Sequence, residues 1–292
     1  MPAQFKRVFR VQGMDTAATP IFQMVPRSGS RWVALHDGAG LGVISLNPAV
    51  CTITEIRETS LPADDRASGG GAAVHGDRFF RLDGGAAGSA LIVAGSLTAL
   101  PALLDVRVKD KFTQTVKFYS VRDNAHHVST RPLADVGAFL PVLNYIFKRQ
   151  ANIEFSRHGS LETLTVPSAL GNPIQLNPAG GLGADATTIV NLGARGSDLN
   201  VFFVWELRRA AAGDSTEATT QTIGSAHVSG GPGNILMEDD IDGRDDLALA
   251  HEIGHHLGLS HNTASNINLM FDTSPLQGFN LNKSEVNQAN LL

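Results

Sequence analysis

The chain of 292 residues contains a single cysteine, Cys51, which excludes an intramolecular disulfide and therefore a disulfide-stapled fold. No apolar run approaches the roughly 18–20 residues that a membrane-spanning helix needs. Charged residues make up only 17% of the chain and the net charge is −5, so a basic patch for nucleic-acid phosphates is not expected. The 42% hydrophobic content is typical of a globular protein, and the length suffices for two domains.

Residues 1–110 have the pattern of an all-β domain. Short apolar runs rich in strand-forming residues alternate with clusters of Gly, Pro, Asp and Ser, and no helical period is sustained. This spacing predicts a small β-sandwich. The runs are 5–11, 31–35, 42–46, 51–56, 79–82 and 90–94. Segments 42–50, 79–84 and 88–94 also resemble bacterial immunoglobulin-like (Ig-like) modules, which implies an accessory domain of that type.

From residue 111 to residue 292 the pattern changes to α+β. Residues 133–150 carry apolar side chains at the spacing of one helix face, and Pro141 within them should bend or delay that helix. Strands are predicted at 113–121, 151–155, 199–207, 222–228 and 234–237. A second helix is predicted at 245–257, and a last one after Asn282, where Glu285 completes a capping box.

The strongest chemical signal is the segment His-Glu-Ile-Gly-His-His-Leu-Gly-Leu-Ser-His, which begins at His251. His251 and His255 are four residues apart, so both project from one helix face toward a single ion. Gly258 tolerates positive φ and should end the helix in a sharp turn that returns His261 as the third ligand. Three protein ligands leave the fourth zinc position open, which is typical of a catalytic zinc site.

Glu252 directly follows the first ligand, where it can approach a zinc-bound water without coordinating the metal. Zinc would lower the pKa of that water and polarise a scissile carbonyl. Glu252 would then act as general base and return the proton to the leaving amine. The pattern therefore predicts a zinc-dependent endopeptidase with one catalytic Zn2+, three histidine ligands and a catalytic glutamate.

The motif resembles the signature of the metzincin metalloproteases, in which the histidines are followed by a Met-turn. Met270 occupies the matching position, and the resemblance implies a structural methionine that forms a floor beneath the histidines. It also implies a mixed twisted sheet beside the active-site helix. Asn262, after the third histidine, is not typical of the astacin-, adamalysin-, matrixin- or serralysin-like branches, so no branch is assigned. Asp272 stands where some branches carry a tyrosine, so no oxyanion helper is predicted.

The metzincin resemblance further implies that an extended peptide binds antiparallel to an edge strand. The strand predicted from Thr222 to Val228 is the candidate, because exposed strand edges offer unpaired backbone groups. Residues 271–279 are expected to wall the pocket for the side chain that follows the cut. The expected partner is a protein or peptide substrate, bound by a monomer, with no nucleic acid and no membrane span.

Other polar residues receive structural interpretations. His256 is turned by roughly 100° from His255 on a helix, so packing is expected of it. The acidic stretch from Glu238 to Asp246 has calcium-type oxygen ligands, but its spacing matches no calcium loop, so a Ca2+ site is unsupported. Cys51 lies outside any zinc-blocking motif and is interpreted as a core thiol. Surface or loop positions are expected for His126, His127 and His227.

Two alternatives stay open. The chain could be an inactive zinc-binding or adhesion protein whose β-domain recognises a partner. Alternatively, residues 1–110 could be a removable inhibitory prodomain. Because bacterial metzincins are commonly exported and the composition favours a bacterial source, secretion is expected, by a route without a visible Sec signal. A cytoplasmic location is not excluded, and the motif does not disclose the substrate or its cleavage specificity.

Overall fold

The computed structural model describes residues 3–8, 13–62, 77–95, 101–131, 133–176, 183–193, 196–209, 233–239, 245–271 and 278–291. By its internal contacts the chain forms two compact units. The first comprises Met1–Phe112, Tyr145–Ile153 and Phe279–Leu292, and the second comprises Thr113–Asn144 and Glu154–Gly278. Within the described ranges, none of the helices has the length and hydropathy of a membrane span.

The first unit contains two β-sheets. An antiparallel sheet has the order β1 (Gln4–Arg7), β4 (Ser30–His36), β7 (Arg78–Gly84) and β6 (Cys51–Ile56). The other sheet has the order β2 (Met14–Asp15), β3 (Ile21–Pro26), β9 (Ala102–Lys109), β8 (Gly88–Ala94) and β5 (Val43–Ser45). In this sheet β3 and β9 are parallel, and the other pairs are antiparallel. Each of the six predicted runs overlaps a strand within the described residues.

Both sheets contribute side chains to one buried hydrophobic cluster. Successive side chains of a strand point to opposite faces, and Leu104, Val106 and Val108 of β9 all face this cluster. Phe80 and Leu82 of β7 enter it from the other sheet. The two sheets of the first unit are therefore held together by a common hydrophobic core.

Two segments from later in the sequence also belong to the first unit. Helices α2 (Arg149–Ala151) and α5 (Lys283–Ala289) both contact β3. The side chain of Gln150 joins them, because its Nε2 donates to the carbonyl of Phe279 at 2.6 Å and its Oε1 accepts the N–H of Leu281 at 2.9 Å. The first unit is thus built from three separate stretches of the sequence. The domain boundary between residues 110 and 111 stays a prediction.

Helix α5 begins with the predicted capping box. The side chain of Asn282 accepts the N–H of Glu285 at 3.0 Å, and the Glu285 carboxylate accepts the N–H of Asn282 at 2.8 Å. After the helix, Asn290 Nδ2 donates to the carbonyl of Ala151 at 2.7 Å, and Lys109 Nζ donates to the carbonyl of Asn290 at 2.5 Å. The final helix is therefore anchored at both ends within the first unit.

The second unit is organised around a five-stranded sheet. Its strand order is β11 (Ile153–Arg157), β10 (Phe112–Arg122), β14 (Leu199–Val204) and β16 (Gly233–Glu238), and β12 (Glu162–Thr165) also pairs with β10. The β10–β12, β10–β14 and β14–β16 pairs are parallel. All six residues of β14 are buried, as predicted for a central strand. A separate pair, β13 (Ile174–Leu176) with β15 (Leu207–Arg209), and helix α3 (Ala184–Leu192) complete the elements around this sheet.

The predicted helix at 133–150 is present but irregular. It runs as α1 (Leu133–Leu143), a π-helical segment (Asn144–Lys148) and α2. Pro141 has no N–H to donate to the turn before it, which disturbs the regular α-helical bonding. Single π-turns occur inside helices at such irregular places. The proline therefore does not delay the start of the helix, and the irregular segment follows it.

The end of β16 is fixed by a set of polar contacts. Asp239 Oδ1 accepts a hydrogen bond from Ser129 Oγ at 2.6 Å, and its Oδ2 accepts the N–H of Thr130. The guanidinium of Arg131 donates to the carbonyls of Glu238 and Asp239 at 2.7 and 2.8 Å. These contacts position the chain ahead of helix α4 (Asp245–His256).

Sheets together with a few helices confirm the predicted α+β class.

Candidate metal centre

Helix α4 presents two of the predicted ligands and then turns back toward them. His251 and His255 lie one turn apart on α4. After the helix, Gly258 adopts φ +85°, a left-handed conformation that suits glycine. Its N–H donates to the carbonyl of His255 at 2.9 Å, and the N–H of Leu259 donates to the carbonyl of Gly254 at 2.9 Å. This turn directs the chain to His261.

The structure brings the three predicted histidines together. The Nε2 atom of His255 lies 3.1 Å from Nε2 of His251 and 3.0 Å from Nε2 of His261. One ligand atom from each of the three residues lies within 4.8 Å of the others. His251 is buried, His255 is half-buried and His261 is exposed, so the cluster is open to solvent on one side.

Backbone carbonyls fix the orientation of two of the rings. Nδ1 of His251 lies 2.9 Å from the carbonyl oxygen of Leu269, and Nδ1 of His255 lies 2.8 Å from that of Leu259. A carbonyl can only accept, so each Nδ1 carries the proton and each Nε2 of the neutral ring keeps its lone pair. Burial lowers the pKa of His255, and the charge of nearby His261 lowers it further against the opposing bond to Leu259. The neutral, metal-binding form is therefore favoured.

The donor set fits a zinc ion. Nε2 lone pairs that converge at 3.0–3.1 Å repel each other unless a cation lies between them. Zn–N bonds of about 2.0–2.1 Å at tetrahedral angles place neighbouring nitrogens roughly 3.3 Å apart, close to the observed separations. Such histidine ligands typically donate their second ring nitrogen to a carbonyl or a carboxylate, as His251 and His255 do here.

Glu252 lies on α4 between the two helical histidines, and Met270 packs against the same helix. Glu252 is 6% exposed and follows His251 on α4. Met270 is fully buried against the same helix, because a Cβ added to Gly254 would meet its Sδ atom at 2.3 Å. The glycine inside the helix therefore makes room for the methionine. His256 faces β16, where a Cβ on Gly233 would lie 2.2 Å from its Nδ1.

Gly258→Ala is expected to destabilise the metal-free protein by about 1–2 kcal/mol, because a positive φ is strained for residues with a Cβ. The matched control is Gly137→Ala on α1. Gly137 is exposed, and an added Cβ there meets nothing within 4 Å, so this change should be neutral or stabilising by up to about 1 kcal/mol. Urea unfolding in the presence of a chelator measures both variants. Equal stabilities would contradict the role of Gly258 in the turn.

Other polar residues considered in the sequence do not belong to this cluster. Asp123 is buried; although burial raises its pKa, hydrogen bonds from Leu170 and His127 outweigh that effect and lower it. His127 therefore helps to hold a loop, because its backbone N–H and its ring both bond to the Asp123 carboxylate. Cys51 is buried, which raises its pKa to about 12, as expected for a core thiol. His126, with φ 71°, lies in the same loop as His127.

Several predicted features lie outside the described residues. They are the edge strand from Thr222 to Val228, His227, Asp272 and most of the predicted pocket wall. Within the acidic stretch, Asp239 uses its carboxylate to hold residues 129 and 130, which explains this acid without a calcium ion.

Sequence reasoning missed the backbone partners of the histidines. The carbonyls of Leu259 and Leu269 are invisible to a search for side-chain ligands, since any residue type provides a carbonyl. Asn268, whose side chain shapes the turn before Met270, was also missed. Its signal was available, because asparagine commonly caps tight turns through its own side chain.

The solved structures similar to this chain have low sequence identity. Curated proteins give no match. Metalloproteinase-II from Bacteroides fragilis is 10% identical over 91% of this chain and 84% of that chain, with a TM-score of 0.37. Domains 4 and 5 of the S-layer protein SbsC are 14% identical over 35% of this chain, with a TM-score of 0.21. The match spans 46% of that S-layer structure, less than half of its length.

The sequence model of the family described as "Metallo-peptidase family M12B Reprolysin-like" matches residues 120–288. These residues include the three clustered histidines, Glu252 and Met270. The match agrees with the metzincin resemblance of the motif, and it names a branch that the motif left unassigned. Because it covers more than half of the 292 residues, the chain belongs to the reprolysin-like metallopeptidases of family M12B.

Proposed function

We propose that the chain is a zinc-dependent endopeptidase that hydrolyses peptide bonds in protein substrates, with Glu252 as its general base. The observation that carries the proposal is the convergence of three imidazole Nε2 atoms, with neighbouring atoms 3.0–3.1 Å apart. Membership in a metallopeptidase family supports the same chemistry. We propose His251, His255 and His261 as the metal ligands and one Zn2+ as the cofactor.

The chain's own residues supply the remaining parts of the reaction. Zinc bound at the three histidines would act as a Lewis acid on the scissile carbonyl and lower the pKa of water. Glu252 takes a proton from the water that attacks the carbonyl carbon, and returns it to the amine nitrogen as the C–N bond breaks. Its burial beside the ligands supports this role, because a general base acts most strongly where bulk water is excluded.

We propose that the substrate binds as an extended peptide along the strand predicted from Thr222 to Val228. The described part of the sheet ends at β16. All six residues of β16 are buried, which supports a further segment of the chain beside this strand. Main-chain pairing at a strand edge gives affinity with little sequence preference, and side-chain pockets add specificity. We further propose that the protein acts as a monomer outside the producing cell.

The role proposed for residues 1–110 is that of an Ig-like β-sandwich accessory domain. Two sheets with a common core support a sandwich, because such domains bury the inner faces of two sheets against each other. The involvement of 145–153 and 279–292 in the same unit supports a permanent domain rather than a removable prodomain. A positioning role relative to substrate is the proposed function of this domain.

Digestion of a peptide library by the zinc-loaded protein tests the proposed activity. We expect new product termini in mass spectrometry, and a loss of about 100-fold or more in cleavage rate after chelation, reversed by added Zn2+. The same termini also report the residue preference on both sides of the cut.

A protein that binds zinc tightly yet yields no new termini with any library would favour the alternative of an inactive zinc-binding or adhesion protein. Glu252→Ala protein purified in the same way is the control for contaminating proteases. Termini that persist unchanged in the chelated sample would show that the cleavage does not depend on the metal centre.

A further inference from the structure

The turn that precedes Met270 is held by one buried asparagine. Asn268 is 5% exposed, and its side-chain Oδ1 accepts the N–H of Met270 at 2.6 Å. Its backbone N–H donates to the carbonyl of Ser265 at 3.0 Å, and its carbonyl accepts the N–H of Gly278 at 3.0 Å. This residue therefore joins the two sides of the loop and fixes the conformation of the two residues that follow it.

The residue between Asn268 and Met270 contacts the metal centre directly. The carbonyl of Leu269 lies 2.9 Å from Nδ1 of His251. A side-chain bond from Asn268 to the N–H two residues ahead is an Asx-turn, which sets the direction of the intervening peptide group. The orientation of the Leu269 carbonyl, and with it the tautomer of His251, thus depends on the Asn268 side chain.

The same turn also positions Met270. Its side chain packs where a Cβ on Gly254 would lie, next to the backbone of α4 between the two helical histidines. Its carbonyl accepts the N–H of Asn262, directly after His261, at 2.7 Å. Through Met270 and Leu269, the conformation at Asn268 reaches all three histidines.

We propose that Asn268 is a positioning residue of the metal centre, which acts on zinc affinity through the Leu269 carbonyl and the Met270 turn. The proposal rests on the proposed zinc function. Groups that hold a metal ligand from behind typically change metal affinity by about 10–100-fold when they are removed. A residue that only stabilised the loop would affect unfolding without a matching change in affinity.

The test compares Asn268→Ala and Asn268→Asp in the full chain. Zinc affinity is measured by competition with a chelating dye, and stability by thermal unfolding of the metal-free protein. We expect the alanine variant to bind zinc about 10–100-fold more weakly. Aspartate keeps the acceptor oxygen of the turn, so that variant should stay within about threefold of the unsubstituted chain. Asn124→Ala is the matched control, because Asn124 donates to the carbonyl of Pro167 in an exposed loop.

The outcomes separate the two proposals. If the unsubstituted chain binds no zinc, the proposed function fails. If the unsubstituted chain binds zinc and a folded Asn268→Ala protein binds it equally well, the positioning role alone is overturned. Should the alanine variant not fold, the aspartate variant decides: a folded Asn268→Asp protein with affinity reduced tenfold or more overturns the role, and retained affinity supports it.

Discussion

Replacing Glu252 by alanine is expected to lower the rate of peptide cleavage by about 100- to 10,000-fold while the protein still binds zinc. Glu252 is the buried acid that follows the first histidine, and no other carboxylate is placed between the two helical ligands in the sequence. Alanine removes the group that accepts the proton of the attacking water but leaves the three imidazoles intact. The measurement combines cleavage kinetics with zinc stoichiometry for each protein.

Glu162→Gln provides a matched control for the loss of a carboxylate. Glu162 belongs to the same unit and pairs with Lys117 at 2.6 Å, but its side chain is exposed. This variant should cleave peptides at the rate of the unsubstituted chain. A Glu252→Ala protein that retains full activity would exclude the general-base role, and one that loses zinc as well as activity would assign Glu252 to metal binding.

Deletion of residues 1–110 is expected to abolish folding of the remaining chain. The deletion removes every strand of the two sheets described for the first unit but leaves its segments 145–153 and 279–292 without their partners. In the intact chain Phe147 and Val286 are fully buried, and Lys109, which holds Asn290, lies within the deleted part. Folded domains are stable by only about 5–15 kcal/mol, so exposure of this surface should exceed the available stability. Soluble yield and circular dichroism measure the effect.

A nicked protein is the control that separates deletion from loss of chain continuity. Strands β8 and β9 are antiparallel partners over seven residue pairs, from Gly88 with Val108 to Ala94 with Ala102. A protease site placed between them at 96–100 should therefore give two fragments that stay associated and active after cleavage. A soluble, active fragment 111–292 would instead support the prodomain alternative, as would a spontaneous cut near residues 95–115 on incubation with zinc.

The candidate site was largely predictable because its chemistry is written in consecutive residues. A spacing of four on a helix places His251 and His255 on one face whatever the surroundings are. The capping box at Asn282 was predictable for the same reason, since its two partners are three residues apart. Local geometry follows from local sequence in both cases.

The features that the sequence did not predict depend on distant partners. Strand β9 was missed although it is central in its sheet, because Asp105 and Arg107 interrupt its apolar pattern. The structure places Asp105 2.7 Å from Lys283, an ion pair between residues far apart in the sequence. The assignment of 145–153 and 279–292 to the first unit likewise results from tertiary contacts that no local pattern encodes.

The backbone groups that hold the histidines show the same limit of local patterns. Leu269 contributes a carbonyl to His251, and any other residue at this position would offer the same group. Only the path of the chain after Gly258 brings that carbonyl to the ring. Residues whose contribution is made by the backbone were therefore recognised from the structure and not from the sequence.

The first unit is built from three separate stretches of the sequence, and this has a consequence for the order of folding during synthesis. Domains commonly begin to fold on the ribosome from the amino terminus, but here the strands of residues 4–109 share their unit with helix α5, which follows the second unit in the sequence. The second unit is therefore translated before the first unit can be completed. A nascent chain should complete the first unit, and any activity that depends on it, only after residues 283–289 have left the exit tunnel.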